Sequence, residues 1–350
     1  MISHDDVLDY AGPSQALLHG GRVQQAAREE GIPLAQWLDL STGINPLGWP
    51  VPAGLPEAVW RCLPEDDDAL HSVAAAYYGS SALLPVAGSQ AVIQALPGLW
   101  PAGRRVGVLA PSYGEHAHAW RGAGHEVVPL DAAQVAAQVA RLEVLVLVNP
   151  NNPTGAVFAP SQLRAWHEAL AQRGGCLVVD EAFMDCTPAL SLAGACPRRG
   201  LVVLRSLGKF FGLAGARVGF VLAEARLLDA LAQRLGPWCV SGPGRWAAAG
   251  ALADNSWQVA TRQRLALASA RLQAVLQRHQ LSPRGGTALF QWVCTPAAPD
   301  LHQRLRQVGI LTRLFTEPLS VRFGLPGDAS QWARLEAALA QWQANPAGSV

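Results

Sequence analysis

The sequence predicts an α/β protein, with a large domain on a mainly parallel sheet followed by a smaller α+β C-terminal domain. Three observations predict this. Short apolar runs at 106–110, 126–130, 144–148, 177–180, 201–205 and 218–222 alternate with stretches of helical composition at 90–100, 115–122, 132–141 and 161–173. Such alternation gives parallel strands joined by crossover helices that cover both faces of the sheet. After Pro237 the alternation stops, and at 350 residues the chain exceeds what one simple core usually holds.

The first 35 residues carry weak strand signals and are expected to form an arm. Residues 36–236 form the expected large domain. Its strands read as apolar throughout rather than alternating, the pattern of strands buried on both faces. Pro160 followed by Ser161 suits the first turn of the helix at 161–173. Residues 237–350 form the expected small domain. Within it, 245–279 reads as one or two helices rich in Ala, Arg and Gln. Strands are expected at 288–294 and 319–324, a helix at 300–308 between them, and a last helix over 329–343.

Composition excludes several function classes. Half the residues are hydrophobic and 15% are charged, well below the ~25% of an average chain, so disorder is excluded. Net charge is +1 with no basic stripe, which argues against nucleic acid as a partner. Residues 72–103 carry no charge, but Gly79, Pro85, Gly88, Gln90, Gln94, Pro97 and Gly98 interrupt them; a membrane span needs ~20 mainly apolar residues. The acidic N-terminus lacks an apolar stretch, so no signal peptide is expected. Six cysteines, at 62, 176, 186, 196, 239 and 294, form no C-x-x-C pair. They read as reduced thiols of a cytoplasmic protein, with no zinc site.

Of the 27 basic side chains Lys209 is the single lysine, leaving 26 arginines. Arginine replaces lysine where only charge is needed, but its guanidinium supplies no deprotonatable amine. Lys209 lies in Ser206-Leu207-Gly208-Lys209, directly after the run 201–205. A strand end in such a sheet faces the ligand edge, and an amine there can form an imine with a carbonyl or with pyridoxal phosphate. The S-x-x-K pattern of penicillin-binding enzymes is set aside, since it wants a second lysine motif.

Asp180 ends another apolar run, in V-V-D-E-A-F. It has two readings of similar weight: a helix N-cap, or the partner of a cation such as a protonated pyridine nitrogen. Ala182 is small enough to lie under a flat ring. The segment Asn149-Pro150-Asn151-Asn152-Pro153-Thr154-Gly155 is a stiff turn that can direct the Asn152 amide toward a ring oxygen. Gly88-Ser89-Gln90 precedes a helical run, where backbone N–H groups can hold an anion. Ser206 can add a hydroxyl and Arg217 a guanidinium. Tyr113, after the run 106–110, is either a packing residue or a ring that stacks on a planar cofactor.

Together these motifs resemble the fold-type I pyridoxal-phosphate enzymes, in the branch that includes histidinol-phosphate aminotransferase. The similarity rests on N-P-N-N-P-T-G, D-E-A-F and S-L-G-K-F-F-G-L-A-G-A-R-V-G, with 28 residues from Asn152 to Asp180 and 29 from there to Lys209. It implies an aspartate aminotransferase-like fold with a seven-stranded sheet, and pyridoxal 5'-phosphate as cofactor. It implies Lys209 as the imine-forming lysine, Asp180 on the pyridine nitrogen, Asn152 on the phenolic oxygen and Tyr113 stacked on the ring. Gly88, Ser89, Gln90, Ser206 and Arg217 would surround the phosphate. Arg322, in S-V-R-F-G, would bind the substrate carboxylate with its planar fork.

Within the branch, His19-Gly20-Gly21, L-D-L-S-T-G-I-N-P-L-G at 38–48 and Pro237-Trp238-Cys239-Val240 resemble the L-threonine-O-3-phosphate decarboxylases of cobalamin biosynthesis. This resemblance implies a phosphorylated amino acid as substrate, (R)-1-amino-2-propanol O-2-phosphate as product and a homodimer. It implies that His19 and Gly20 help bind the substrate phosphate, with Gly43 and Arg322 also at the substrate. Three positions depart from the branch. Leu63-Pro64 stands where a Tyr-Pro pair usually reaches the partner's cofactor phosphate. Phe183 stands where many transaminases carry a tyrosine, which leaves Asn152 as the main donor to the ring oxygen. Gly43 stands where relatives often have Asn. The rival readings are an aminotransferase acting on a substrate such as histidinol phosphate, and a non-catalytic protein of the same fold.

Overall fold

A computed structural model describes residues 17, 19–66 and 68–344. In chain order its strands are β1 (Leu38–Asp39), β2 (Leu83–Val86), β3 (Arg105–Leu109), β4 (Glu126–Leu130), β5 (Val144–Val148), β6 (Cys176–Asp180) and β7 (Leu201–Ser206). They continue with β8 (Gly219–Leu222), β9 (Gly285–Thr287), β10 (Phe290–Cys294), β11 (Ile310–Leu311), β12 (Arg313–Thr316) and β13 (Leu319–Gly324). Seven form one sheet in the order β2-β8-β7-β6-β5-β3-β4.

The central strands are buried on both faces, as their unbroken apolar sequences require. Every residue of β5, β6 and β8 is buried. Alternate residues feed two separate cores. Leu145, Leu147, Leu177 and Val179 pack on one face, and Val144, Val146, Cys176 and Val178 on the other. Each such side chain contributes roughly 1.5–3 kcal/mol on burial.

The pairs β3–β4, β3–β5, β5–β6 and β6–β7 are parallel, as expected. The strand expected at 218–222 instead runs antiparallel to both neighbours, β7 and β2. A parallel return needs a crossover long enough to hold a helix. Between β7 and β8 the chain makes only a turn and one short 3-10 segment, Ala214–Ala216. The returning loop therefore stays at the end of β7, and it carries Lys209. Strand β2 was not predicted, because L-L-P-V is short and holds Pro85. Proline is tolerated there because β2 is the sheet edge. Pro129 sits in the opposite edge strand, β4, for the same reason.

Several helices differ from expectation in length. The one expected at 90–100 ends at Ala95 and continues as a 3-10 turn at the Pro97 step, while that at 132–141 keeps only Val135–Gln138 as α-helix. Residues 245–279 fall in two helices, Gly242–Ala253 and Asn255–Arg278. Asp254 divides them, since its side chain accepts from Trp257 N–H and caps the second.

The C-terminal part carries an antiparallel sheet in the order β12-β13-β10-β9. The run expected at 288–294 begins with a turn, so β9 and β10 form a hairpin. Short parallel pairing of β1 with β11 brings residue 39 beside 311. Gly324 N–H then donates to Leu40 O at 2.7 Å, placing residues 40–43 against the end of β13. Of the arm expected at 1–35, positions 1–16 and 18 lie outside the described residues; Val23–Glu30 is a helix. Among the described residues, no helix is long and apolar enough to cross a membrane.

Candidate active site

Strands β5, β6 and β7 end together at a cavity lined by Val148, Asp180 and Ser206, the last residue of each. This is the carboxyl edge where open α/β sheets bind ligands. All ten residues that the sequence assigns to the cofactor line this one cavity.

Asp180 stands 3% exposed at the tip of β6. One carboxylate oxygen accepts from Ala182 N–H at 3.0 Å; the other lies 3.0 Å from His116 Nε2. Asp180 is not a helix N-cap, since the 3-10 segment that follows, Met184–Cys186, starts after Phe183; its carboxylate instead braces the local turn and faces the cavity. His116 is itself 2% exposed, in the helix Gly114–Gly122. Sequence reasoning missed it, since neither His of G-E-H-A-H gives a signal without the fold.

Lys209 is half-buried in the loop after β7. Burial, followed by the charge of Arg322, pushes its ammonium down to about 8, while Asp180 opposes the shift. A lysine with this lowered value is partly neutral near pH 7, so it is a competent nucleophile and proton carrier. Its Nζ lies 5.6 Å from the centre of the Phe183 ring. Phe183 lines the cavity beside Ala182.

The Asn-Pro turn divides its labour. Asn149 exchanges hydrogen bonds with the Phe158 backbone, and Asn151 donates to Pro111 O and Thr154 Oγ1. Those two amides hold the loop, while Asn152 faces the cavity. Gly155 is at φ 72, and a Cβ there would lie 2.0 Å from Gly286 O in β9. Only glycine lets the loop press this closely on the second sheet.

At the other end, Gly88 (φ 74) leads into the helix Ser89–Ala95. A Cβ on Gly88 would meet Arg217 Nη2 at 2.7 Å, so glycine makes room for the guanidinium. Arg217 has a left-handed backbone, φ 53, a strained conformation for a non-glycine residue. Tyr113 donates from its hydroxyl to Gln90 Oε1 at 3.0 Å. Burial, then the carboxylates of Glu115 and Asp180, push its phenol up, so it stays protonated.

Arg322 is buried, 6% exposed, in β13. It donates to Asn152 Oδ1 and, at 2.6 Å, to Ser41 O. Its Nε is buried with no hydrogen-bond partner among the described residues. Burial and the charge of Arg313 lower its value to about 10, which leaves it cationic at neutral pH. Of the residues expected at the substrate, Gly20 packs on Ser41, where a Cβ would lie 2.4 Å from the carbonyl oxygen. Gly43 lies between Phe183 and Phe290, with a Cβ position 2.9 and 3.0 Å from their rings. An Asn there would collide with both rings. His19, expected on the substrate phosphate, lies with Nε2 2.6 Å from Glu115 Oε1 and its ring 5.8 Å from that of Tyr113. Sequence reasoning also missed Glu115. At the Tyr-Pro departure, Leu63 is 64% exposed.

The family described as aminotransferase class I and II matches residues 53–339. Threonine-phosphate decarboxylase from Pseudomonas aeruginosa is 57% identical over 323 residues, covering 92% of this chain and 97% of that protein. The protein of the same name from a Sinorhizobium species is 43% identical, covering 94% and 99%. Among solved structures, histidinol-phosphate aminotransferase from Sinorhizobium meliloti, in complex with pyridoxal-5'-phosphate, superimposes with a TM-score of 0.80 at 21% identity, covering 97% and 99%. L-threonine-O-3-phosphate decarboxylase from Porphyromonas gingivalis gives 0.70 at 19% identity, covering 87% and 99%. At these identities the structural matches show the shared fold.

Proposed function

From the premise that this chain belongs to the class I and II aminotransferase family, we propose that it decarboxylates L-threonine O-3-phosphate. The product is (R)-1-amino-2-propanol O-2-phosphate, and the role is in cobalamin biosynthesis. The observation that carries the reading is 57% identity over nearly the full length of a threonine-phosphate decarboxylase. The reaction is one of a pyridoxal-phosphate enzyme.

The cavity's donor set fits that cofactor. A buried carboxylate, Asp180, suits a protonated ring nitrogen; Ala182 gives a low floor and Lys209 an amine of lowered pKa. Ser89, Ser206 and Arg217 offer hydroxyls and a cation for a phosphate, and the Asn152 amide suits a phenolic oxygen. When bound, the cofactor supplies an electron sink for the pair left by the departing carboxylate.

The chain's own residues do the rest. Asp180, braced by His116 and the Ala182 N–H, holds negative charge at the end of β6. Arg322 binds the substrate carboxylate; its unpartnered buried Nε is the group that gains most from an anion. Its cationic form persists through neutral pH. Lys209, near half-protonation at about pH 8, carries the proton that replaces carbon dioxide on Cα. Phe183, packed edge-on against Phe290, lines the apolar side of the site and helps exclude water. His19 reaches the substrate phosphate by exchanging its Glu115 partner for the incoming dianion.

A homodimer fits the family resemblance, and Trp60 and Leu63, 68% and 64% exposed, offer apolar surface that a second copy would cover; a light-scattering mass of a single chain would contradict this. The six cysteines are all free, which supports a cytoplasmic location, and an oxidising-compartment location found by fractionation would oppose it. Residues 1–35, 36–236 and 237–350 serve as arm, large and small domains, and limited proteolysis that cuts elsewhere would redraw them. The activity itself is tested on a panel of L-threonine O-3-phosphate, L-serine O-phosphate and histidinol phosphate. The expected product is the threonine phosphate less one carbon dioxide; an amino group moved to a keto acid instead would assign an aminotransferase.

A further inference from the structure

Glu115 is a buried carboxylate, 8% exposed, which the chemistry above uses solely as the resting partner of His19. It sits in the first turn of the helix Gly114–Gly122, where the helix dipole favours an anion. Its Oε2 accepts from Gln90 Nε2 and from Gln94 Nε2, each at 2.8 Å. Its Oε1 lies 2.6 Å from His19 Nε2. A carboxylate only accepts, so Gln90 must turn its NH2 group toward Glu115. The Gln90 oxygen then points the other way, to Tyr113, at 3.0 Å. Facing a carbonyl oxygen, the Tyr113 hydroxyl must donate. One carboxylate thus sets the direction of a chain of hydrogen bonds that ends on an aromatic ring lining the cavity.

We propose that Glu115 is a positioning residue: through Gln90 it fixes the Tyr113 hydroxyl as donor to Gln90 and so holds the Tyr113 ring in place beside the cofactor, while its second oxygen holds His19 before substrate arrives. Without Glu115 the Gln90 amide rotates freely, and Tyr113 has two alternating partners instead of one. The upward shift of the Tyr113 phenol agrees with a proton held in place. The inference rests on reading this cavity as the pyridoxal-phosphate site.

The test uses the full chain loaded with pyridoxal phosphate, in the variants Glu115→Ala, Gln90→Ala and both together. Cofactor dissociation is followed by visible absorbance, and ring placement by visible circular dichroism. Loss of one hydrogen bond to a charged group weakens retention about tenfold. Glu115→Ala is expected to show that loss with an altered dichroic band, and the double variant to lose no more than the weaker single variant, because the two residues act in one chain. Unchanged retention and dichroism in Glu115→Ala, or losses that multiply in the double variant, would overturn the proposal. Glu115→Gln, which keeps the volume and an oxygen that accepts from Gln90, is expected to regain most of the retention at an unchanged melting temperature. Failure to regain it while folded would also overturn the proposal. Failure of the cavity assignment shows separately: the unaltered protein would then form no borohydride-fixed adduct at Lys209, and both readings would fall together.

Discussion

Arg322 donates to the side-chain oxygen of Asn152, so a buried cation of β13 and an amide of the Asn-Pro turn are held as one unit. The bond orients the amide: with its oxygen taken, the nitrogen is the end left for the cavity. It also ties the C-terminal sheet to the turn that follows β5, where Asn152 lines the cavity. Arg322→Lys keeps the charge and loses the fork. Such a loss weakens binding by about ten- to a hundredfold. We expect KM for L-threonine O-3-phosphate to rise by that factor while the visible band of bound cofactor persists. Steady-state kinetics read this, and an unchanged KM would detach Arg322 from the substrate.

Lys209 titrates at about 8, below its ordinary 10.5, mainly because it is buried. The sign follows. Between those values the unfolded chain binds more protons than the folded one, so stability of the cofactor-free protein rises with pH there, and below pH 8 the full cost is present. The neutral amine is the reactive form. The rate at which cofactor-free protein takes up pyridoxal phosphate should climb with pH and level off above about 8. A rate still climbing toward 10 would mean an unshifted amine. Because the chain has one lysine, Lys209→Ala must abolish side-chain imine formation entirely.

His116 braces Asp180 at 3.0 Å inside the core. His116→Phe fills the space and leaves one carboxylate oxygen unpartnered. An orphaned buried group costs about 1–3 kcal/mol. Chemical denaturation should show that loss, and kcat should fall as the carboxylate relaxes from its place. A fully active variant would limit His116 to packing.

Arg205 is 1% exposed and bonds both Glu181 and Asp185. Burial pushes the Glu181 carboxyl up, and Arg205 opposes that shift. Removing a partner from a buried ion pair costs about 3–5 kcal/mol. Arg205→Met should therefore lower the unfolding midpoint strongly, whatever its effect on catalysis; a midpoint within error of the original would show that the carboxylates find other partners or protons.

Of these four residues, Lys209 and Arg322 were legible in the sequence, whereas His116 and Arg205 were not. Lys209, Asp180 and Asn152 end or follow apolar runs, and a strand end in a doubly covered sheet has one destination. The ten positions that the sequence assigns to the cofactor therefore converge on one cavity. What escaped was set by partners distant in sequence. His116 lies 64 residues from Asp180, and Glu115 lies 96 from His19; neither spacing leaves a local pattern. The reversed β8 escaped because apolar content does not encode strand direction. Edge strand β2 escaped because Pro85 reads as a breaker until its free edge is known. The contact of His19 with Glu115 escaped because the segment around His19 does not announce a carboxylate partner.

The most direct measurement is carbon dioxide release. The full-length protein, loaded with pyridoxal phosphate, is incubated with L-threonine O-3-phosphate and no keto acid. One carbon dioxide is expected for each 1-amino-2-propanol phosphate formed, with the aldehyde form of the cofactor retained through many turnovers. Turnover that requires a keto acid and releases no carbon dioxide would contradict the decarboxylase reading.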